Sequence, residues 1–183
     1  MTTGARAFPA VRRPPGMSGE EAVWAINGVF GGPYPGCRAA HARGVVCGGE
    51  FTPAPIAAGL TRAALMRGAP VPVTVRFSNA SGDPGKPDSK GDNRGMATRF
   101  HGADRDMDIV AVSLPCFFSR TPEDFVALNR ATRRGRRLPA RPHLLIDFLA
   151  RHREARRATW AALRAKPVPS YANCRYNALH TFV

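Results

Sequence analysis

Five histidines, His41, His101, His143, His152 and His180, are the side chains best suited to moving a proton near neutral pH. His41 differs from the others in its company. It stands in Arg38-Ala-Ala-His41-Ala-Arg43-Gly44, among small residues that would let something large and flat approach the imidazole. A second segment, Val75-Arg76-Phe77-Ser78-Asn79, offers a guanidinium, an aromatic ring and a hydroxyl on a rigid stretch. A base, an anion clamp and an orienting hydroxyl are therefore available, although spacing along the chain does not show that they meet. His143 and His152 fall in an Arg-rich helical region and read as structural. The run Asp104-x-Asp106-x-Asp108 begins like a calcium loop, but Ile109 replaces the required Gly and Pro115 stands where the bidentate Glu should be. These acids read as one solvated face of a strand. Cys37, Cys47, Cys116 and Cys174 show no CxxC spacing and read as small core fillers rather than a zinc or disulfide framework.

The elements that must position these groups follow from punctuation and period. Residues 1–17 are rich in Pro, Arg and Gly and read as a loose arm, ahead of a single domain over 18–183. Ser18-Gly-Glu-Glu21 forms an N-cap and capping box before a helix that ends at Gly31-Gly-Pro33. The Val-rich stretch Ala39–Phe51, which holds His41, is predicted as a strand, and Thr52-Pro53 as the opening of a helix through Ile56, Leu60 and Ala64. Val71–Phe77 alternates with period two and predicts a strand. Residues 81–93 form a polar loop. Gly95–His101 and Met107–Ser113 predict a strand pair, and Thr121-Pro-Glu-Asp124 caps another helix. Leu144–Leu163 reads as one helix with Leu145, Phe148 and Leu149 on its apolar face. The chain ends in a strand-like run, Ala178–Val183, with no later strand to pair with. The class is α+β: a sheet from the first half, then helices, with sheet edges left open for closure, for a partner or for self-association.

With 183 residues, 44% hydrophobic and 22% charged, the chain can build one real core. No apolar run reaches the length of a membrane span, and MTTGARAFPAVRRPPG lacks an apolar signal region, so the expected setting is cytoplasmic with no membrane partner. The net charge of +14 is concentrated between Arg130 and Arg164, where 11 Arg face only Asp147 and Glu154. Such a face could attract anions or nucleic acid. No aromatic stacking pattern accompanies it, so a solvated Arg-rich helix face is the reading and nucleic acid is not the expected partner.

Five segments, in order, resemble the amino-terminal half of the catalase superfamily, and most of all its small catalase-related haem peroxidases: RAAHARGVVCGGEFTP, PVPVTVRFSNASGDP, NRGMATRFHG, DIVAVSLPCFFSRTPEDF and ALHTFV. The resemblance runs from about Trp24 to Val183 and implies a catalase-like antiparallel β-barrel, here incomplete, with flanking helices. It implies haem b as cofactor, and peroxide with a small organic electron donor as reactants. His41 matches the distal catalytic histidine, and Ser78 the hydroxyl that holds its other ring nitrogen. Arg38, Arg76 and His180 match groups around the haem propionates. Phe125 matches an aromatic packed on the porphyrin and Phe118 one lining the distal pocket, with Phe117, Ala39 and Ala40 as further wall residues. Taken singly, Phe117 and Phe118 would be ordinary core and Arg38 an ordinary surface cation.

Two departures qualify what the resemblance implies. Where typical catalases place an Asn that hydrogen-bonds peroxide, this sequence has Ser113, which favours peroxidation over dismutation. The family's proximal Tyr ligand to iron lies beyond the matched segments, and Tyr34, Tyr171 and Tyr176 sit in unrelated contexts, so no axial ligand is assigned. The chain therefore reads as an amino-terminal fragment or a truncated product. The expected function is a haem-dependent peroxidase with weak catalase activity. The alternatives are a hydroperoxide isomerase of the allene oxide synthase type and an inactive remnant.

Overall fold

A computed structural model describes residues 18–89, 92–103, 105–133 and 141–179, so the arm over 1–17 and His180 lie outside the described residues. The element order is α1 (Gly19–Phe30), β1 (Gly44–Phe51), a single turn α2 (Ala57–Leu60), β2 (Val71–Asn79), β3 (Arg94–His101), β4 (Asp106–Val112), α3 (Pro122–Ala131), α4 (Pro142–Arg151), α5 (Arg153–Leu163) and β5 (Asn177–Ala178). Each strand pairs antiparallel with the next, giving one open five-stranded sheet in the order β1-β2-β3-β4-β5. Of the terminal run expected over 178–183, residues 180–183 lie outside the described residues, and its start pairs backwards along the chain: β5 joins β4 through Ala111–Ala178 and Val112–Asn177. Among the described residues, no helix is long and apolar enough to cross a membrane.

Local chemistry explains most boundaries. The Ser18 hydroxyl accepts the Glu21 amide at 3.2 Å, and Gly31 ends α1 in the left-handed region, φ 77°. The Glu21 carboxylate does not return to the cap but meets Arg130 at 2.7 Å, tying α1 to α3. Thr121 caps α3 by accepting the Asp124 amide, with Pro122 in the first turn. Pro72 stands near the start of β2, paired with Glu50 of β1 but outside the β2–β3 ladder, which begins at Val73–Phe100.

Apolar burial occurs along the sheet, among the later helices and, through Ala25, Val126 and Ala131, on α1 and α3. Val73, Phe100, Ala111, Val112 and Leu114 are buried along the sheet, with Phe51 edge-on to Phe100 at 5.1 Å. Leu128, Phe148 and Ala155 form the helical core, joined by Phe118, Leu145 and Leu149.

Four expectations need correction. His41 does not lie in a strand, because β1 starts three residues later, at Gly44. The helix expected after Pro53 is only the α2 turn and a separate 3-10 turn at Ala64–Met66. The helix expected over 144–163 is two, broken at His152 (φ −116°, ψ 100°). There the His152 ring stacks on Phe148 at 4.1 Å, and Arg156 donates to the Leu149 and Ala150 carbonyls, so side chains hold the break that no Gly or Pro announces. Finally, Cys37 and Cys47 are exposed rather than core: β1 is an edge strand along which only Phe51 is shielded.

Candidate active site

His41 is held by backbone and side chain together. Its φ of 55° lies in the left-handed region, a conformation that costs free energy outside glycine unless the surroundings enforce it. The enforcement is visible. Arg76 donates from Nη2 to the His41 carbonyl at 2.7 Å and to that of Ala42 at 3.4 Å. The Ala42 amide donates to Ser81 O at 2.9 Å, and the His41 amide to Ala80 O at 3.4 Å. Gly82 lets this strap settle, since a Cβ there would run into the Ala39 carbonyl and come within 2.9 Å of Phe30.

The ring then lies over the β2–β3 ladder. His41 Nδ1 is 3.0 Å from Ser78 Oγ, and Ser78 is buried. Burial is the main influence lowering the His41 pKa below its ordinary 6.5; Arg76 and Arg38 add to it, and the Asn79 backbone and Asp92 oppose it. The imidazole is therefore neutral at pH 7, the form in which it can accept a proton. Burial first, and Arg38 second, pull the Arg76 guanidinium down as well, so two cations face the same region. Gly95, opposite Ser78 in the ladder, lies directly beneath: a Cβ there would stand 2.8 Å from His41 Nδ1 and Cε1 and 2.9 Å from Ser78 Oγ. The NRG motif contained this glycine, but its role is legible only once the register is known.

Of the other expected site residues, Arg38 and Arg76 act on the His41 ring through their charge, and Ser113, Phe117, Phe118 and Phe125 have packing or hydrogen-bond partners of their own. Arg38 is exposed, and Ala39 and Ala40 are half-buried in the strap. Phe117 stacks on Phe125 (5.9 Å, 15°) and meets Phe118 edge-on at 5.6 Å. Phe117 is 38% exposed, whereas Phe118 packs into the helical core, so the plain core reading suits Phe118 better than Phe117. Ser113 is tied to Arg94: its Oγ accepts the Arg94 amide at 2.9 Å and its own amide donates to Arg94 O at 2.8 Å. Asp106 and Asp108 are exposed, and Asp108 is taken by Arg99 through a two-pronged contact at 2.7 and 2.8 Å.

A porphyrin requires small residues beside the base, cations for its carboxylates and aromatic surface for its face. The strap alanines, the Arg38–Arg76 pair, the glycine cradle and the Phe117–Phe125 stack, with Phe117 exposed and Phe125 half-buried, are groups of these kinds. Each of the three tyrosine hydroxyls is engaged within the protein, so none is assigned as a ligand to such a group. Tyr34 donates to Phe30 O at 3.2 Å, Tyr171 to Asp88 Oδ1 at 2.9 Å and Tyr176 to Tyr171 O at 3.0 Å. Burial foremost raises the pKa of both Tyr171 and Tyr176, away from a phenolate.

A catalase-related peroxidase of Mycolicibacterium paratuberculosis is 38% identical over 169 residues, covering 91% of this chain and 53% of that protein. One of the same name from Synechococcus elongatus is 28% identical over 172 residues, covering 91% and 50%. A solved structure described as that of a bacterial catalase superposes with a TM-score of 0.53 at 26% identity, covering 82% of this chain and 29% of that one. The chain spans about half the length of the curated relatives it matches. The catalase family model matches residues 36–183, and the chain accordingly belongs to the catalase family.

Proposed function

We propose that the chain carries the distal side of a haem-dependent peroxidase that reduces hydrogen peroxide or organic hydroperoxides with electrons from a small organic donor. The observation that carries the reading is the His41 ring held on Ser78 over Gly95 in the left-handed strap. Haem b, when bound, supplies the redox-active iron at which the O–O bond is cleaved. Arg38 and Arg76 would hold its propionates, as would His180, which lies outside the described residues. The Phe117–Phe125 stack would pack on the ring, with Phe118, Ala39 and Ala40 as surrounding wall. The Nε2 of His41 takes the proton from the peroxide hydroxyl and returns it to the departing oxygen, while Ser78 keeps Nδ1 occupied. Ser113 offers peroxide a shorter hydrogen-bond donor than Asn would, and its hydroxyl already serves Arg94, which favours donor oxidation over dismutation.

The test is reconstitution with haem, read by the Soret band and by peroxide consumption with and without a chromogenic donor. Donor-dependent consumption is expected, and His41→Ala should lower it by about 10²–10⁴-fold while keeping the Soret band. Unchanged turnover in that variant removes His41 from the mechanism. Loss of an organic hydroperoxide without any donor would identify an isomerase instead.

A further inference from the structure

We infer that Gly95 is a positioning residue: by having no side chain it seats the His41 ring so that Nδ1 carries the proton and Nε2 presents its lone pair outward. The inference deepens the peroxidase reading and rests on it for its catalytic meaning. The register puts Gly95 directly opposite Ser78, so both share one face of the sheet. The three atoms that a Cβ at this position would crowd are His41 Cε1, His41 Nδ1 and Ser78 Oγ, all within 2.9 Å. Real Cβ atoms do not approach so closely, so with any larger residue the ring, the hydroxyl or the strand beneath them must shift, which strains the His41–Ser78 contact. Neither group has easy room to yield. The ring is anchored through a backbone already clamped by Arg76 and Ser81, and Ser78 is 3% exposed within the ladder.

The consequence is specific. Beside the hydrogen bond to the Asn79 backbone, the 3.0 Å contact with Ser78 is the side-chain interaction that distinguishes the two ring nitrogens of His41. With Nδ1–H donating to Ser78 Oγ, the proton is pinned there and Nε2 remains a base. If the contact is broken, the proton is free to move to Nε2, and the nitrogen facing substrate becomes a donor that can take no proton. A catalytic imidazole left in the wrong tautomer loses up to about 10⁴-fold in rate. Gly95 would thus govern catalysis without touching peroxide.

Nitrogen-resolved imidazole NMR on the haem-free chain tests this independently of turnover. In the native chain, the His41 proton should reside on Nδ1. In folded Gly95→Ala it should shift toward Nε2, as it should in Ser78→Ala. An unchanged Nδ1–H signal in folded Gly95→Ala overturns the inference. Should that variant fail to fold, the native spectrum still decides: a proton on Nε2 in the native chain overturns it equally. In the haem-loaded protein, Gly95→Ala should lower kcat by at least about 10-fold with the Soret band retained. If the tautomer shifts but turnover does not, the positioning role stands and the catalytic use of His41 falls.

Discussion

Replacing Arg76 with Met measures how much of the His41 geometry is enforced rather than intrinsic. The guanidinium makes a strong 2.7 Å bond to the His41 carbonyl and a weaker 3.4 Å one to Ala42. A hydrogen bond from a charged donor is worth about 1.5–3 kcal/mol, and the half-buried setting of Arg76 places this one in the lower part of that range. Against this loss stands relief of the repulsion from Arg38, which is largely screened by solvent and amounts to a few tenths of a kcal/mol, of the order expected for exposed charges. Arg76→Met should therefore destabilise by about 1.5–2 kcal/mol, a fall in Tm of roughly 3–8 °C for a domain of this size. The assay is urea unfolding followed by the fluorescence of Trp24 and Trp160, with an unchanged m-value required for the comparison. Salt supplies a second criterion. Screening weakens the Arg38–Arg76 repulsion in the native chain only, so the gap between the two proteins should widen slightly from low to high salt. A difference below about 0.5 kcal/mol, the scatter of surface substitutions, would show that the strap holds His41 without Arg76. A gap that shrinks with salt would show that Arg76 acts instead through attraction to an acid.

Three further outcomes are expected. The folded His41 pKa is depressed, so stability is full above the ordinary value near 6.5 and is lost as pH falls below it; urea midpoints between pH 7 and 5 should decline more for the native chain than for His41→Gln, and parallel decline would refute the burial account. Phe148→Ala removes a ring packed on Leu128 and Ala155 and stacked on His152; it should cost about 3–5 kcal/mol, read as a large fall in the thermal midpoint by circular dichroism, and a loss under about 1.5 kcal/mol would mean that α4 and α5 are not part of the cooperative unit. Ser113→Asn, at matched haem occupancy, should raise oxygen evolution from peroxide relative to donor oxidation; an unchanged or opposite ratio excludes Ser113 as the determinant of that balance.

Much of the molecule was readable from residue order because the signals were local. Ser18 and Thr121 cap helices through atoms three residues away, and alternation along Val71–Phe77 needs only the period of a strand. The residues around His41 were recognisable as a set because their motifs recur in order. What residue order could not convey depends on partners distant in the chain or on the absence of a side chain. The break at His152 is held by Phe148, Arg156 and facing acids, and an uninterrupted apolar period runs straight through it. The exposure of Cys47 follows from β1 lying at the sheet edge, which neither its Val-rich sequence nor its small residues disclose. The left-handed backbone of His41 was likewise hidden, since a histidine among alanines carries no mark of φ. It is imposed by Arg76, 35 residues away, and by the carbonyls of Ala80 and Ser81. Gly95 is the clearest case: its function is the space it leaves, and only the pairing of β2 with β3 places that space beneath the ring.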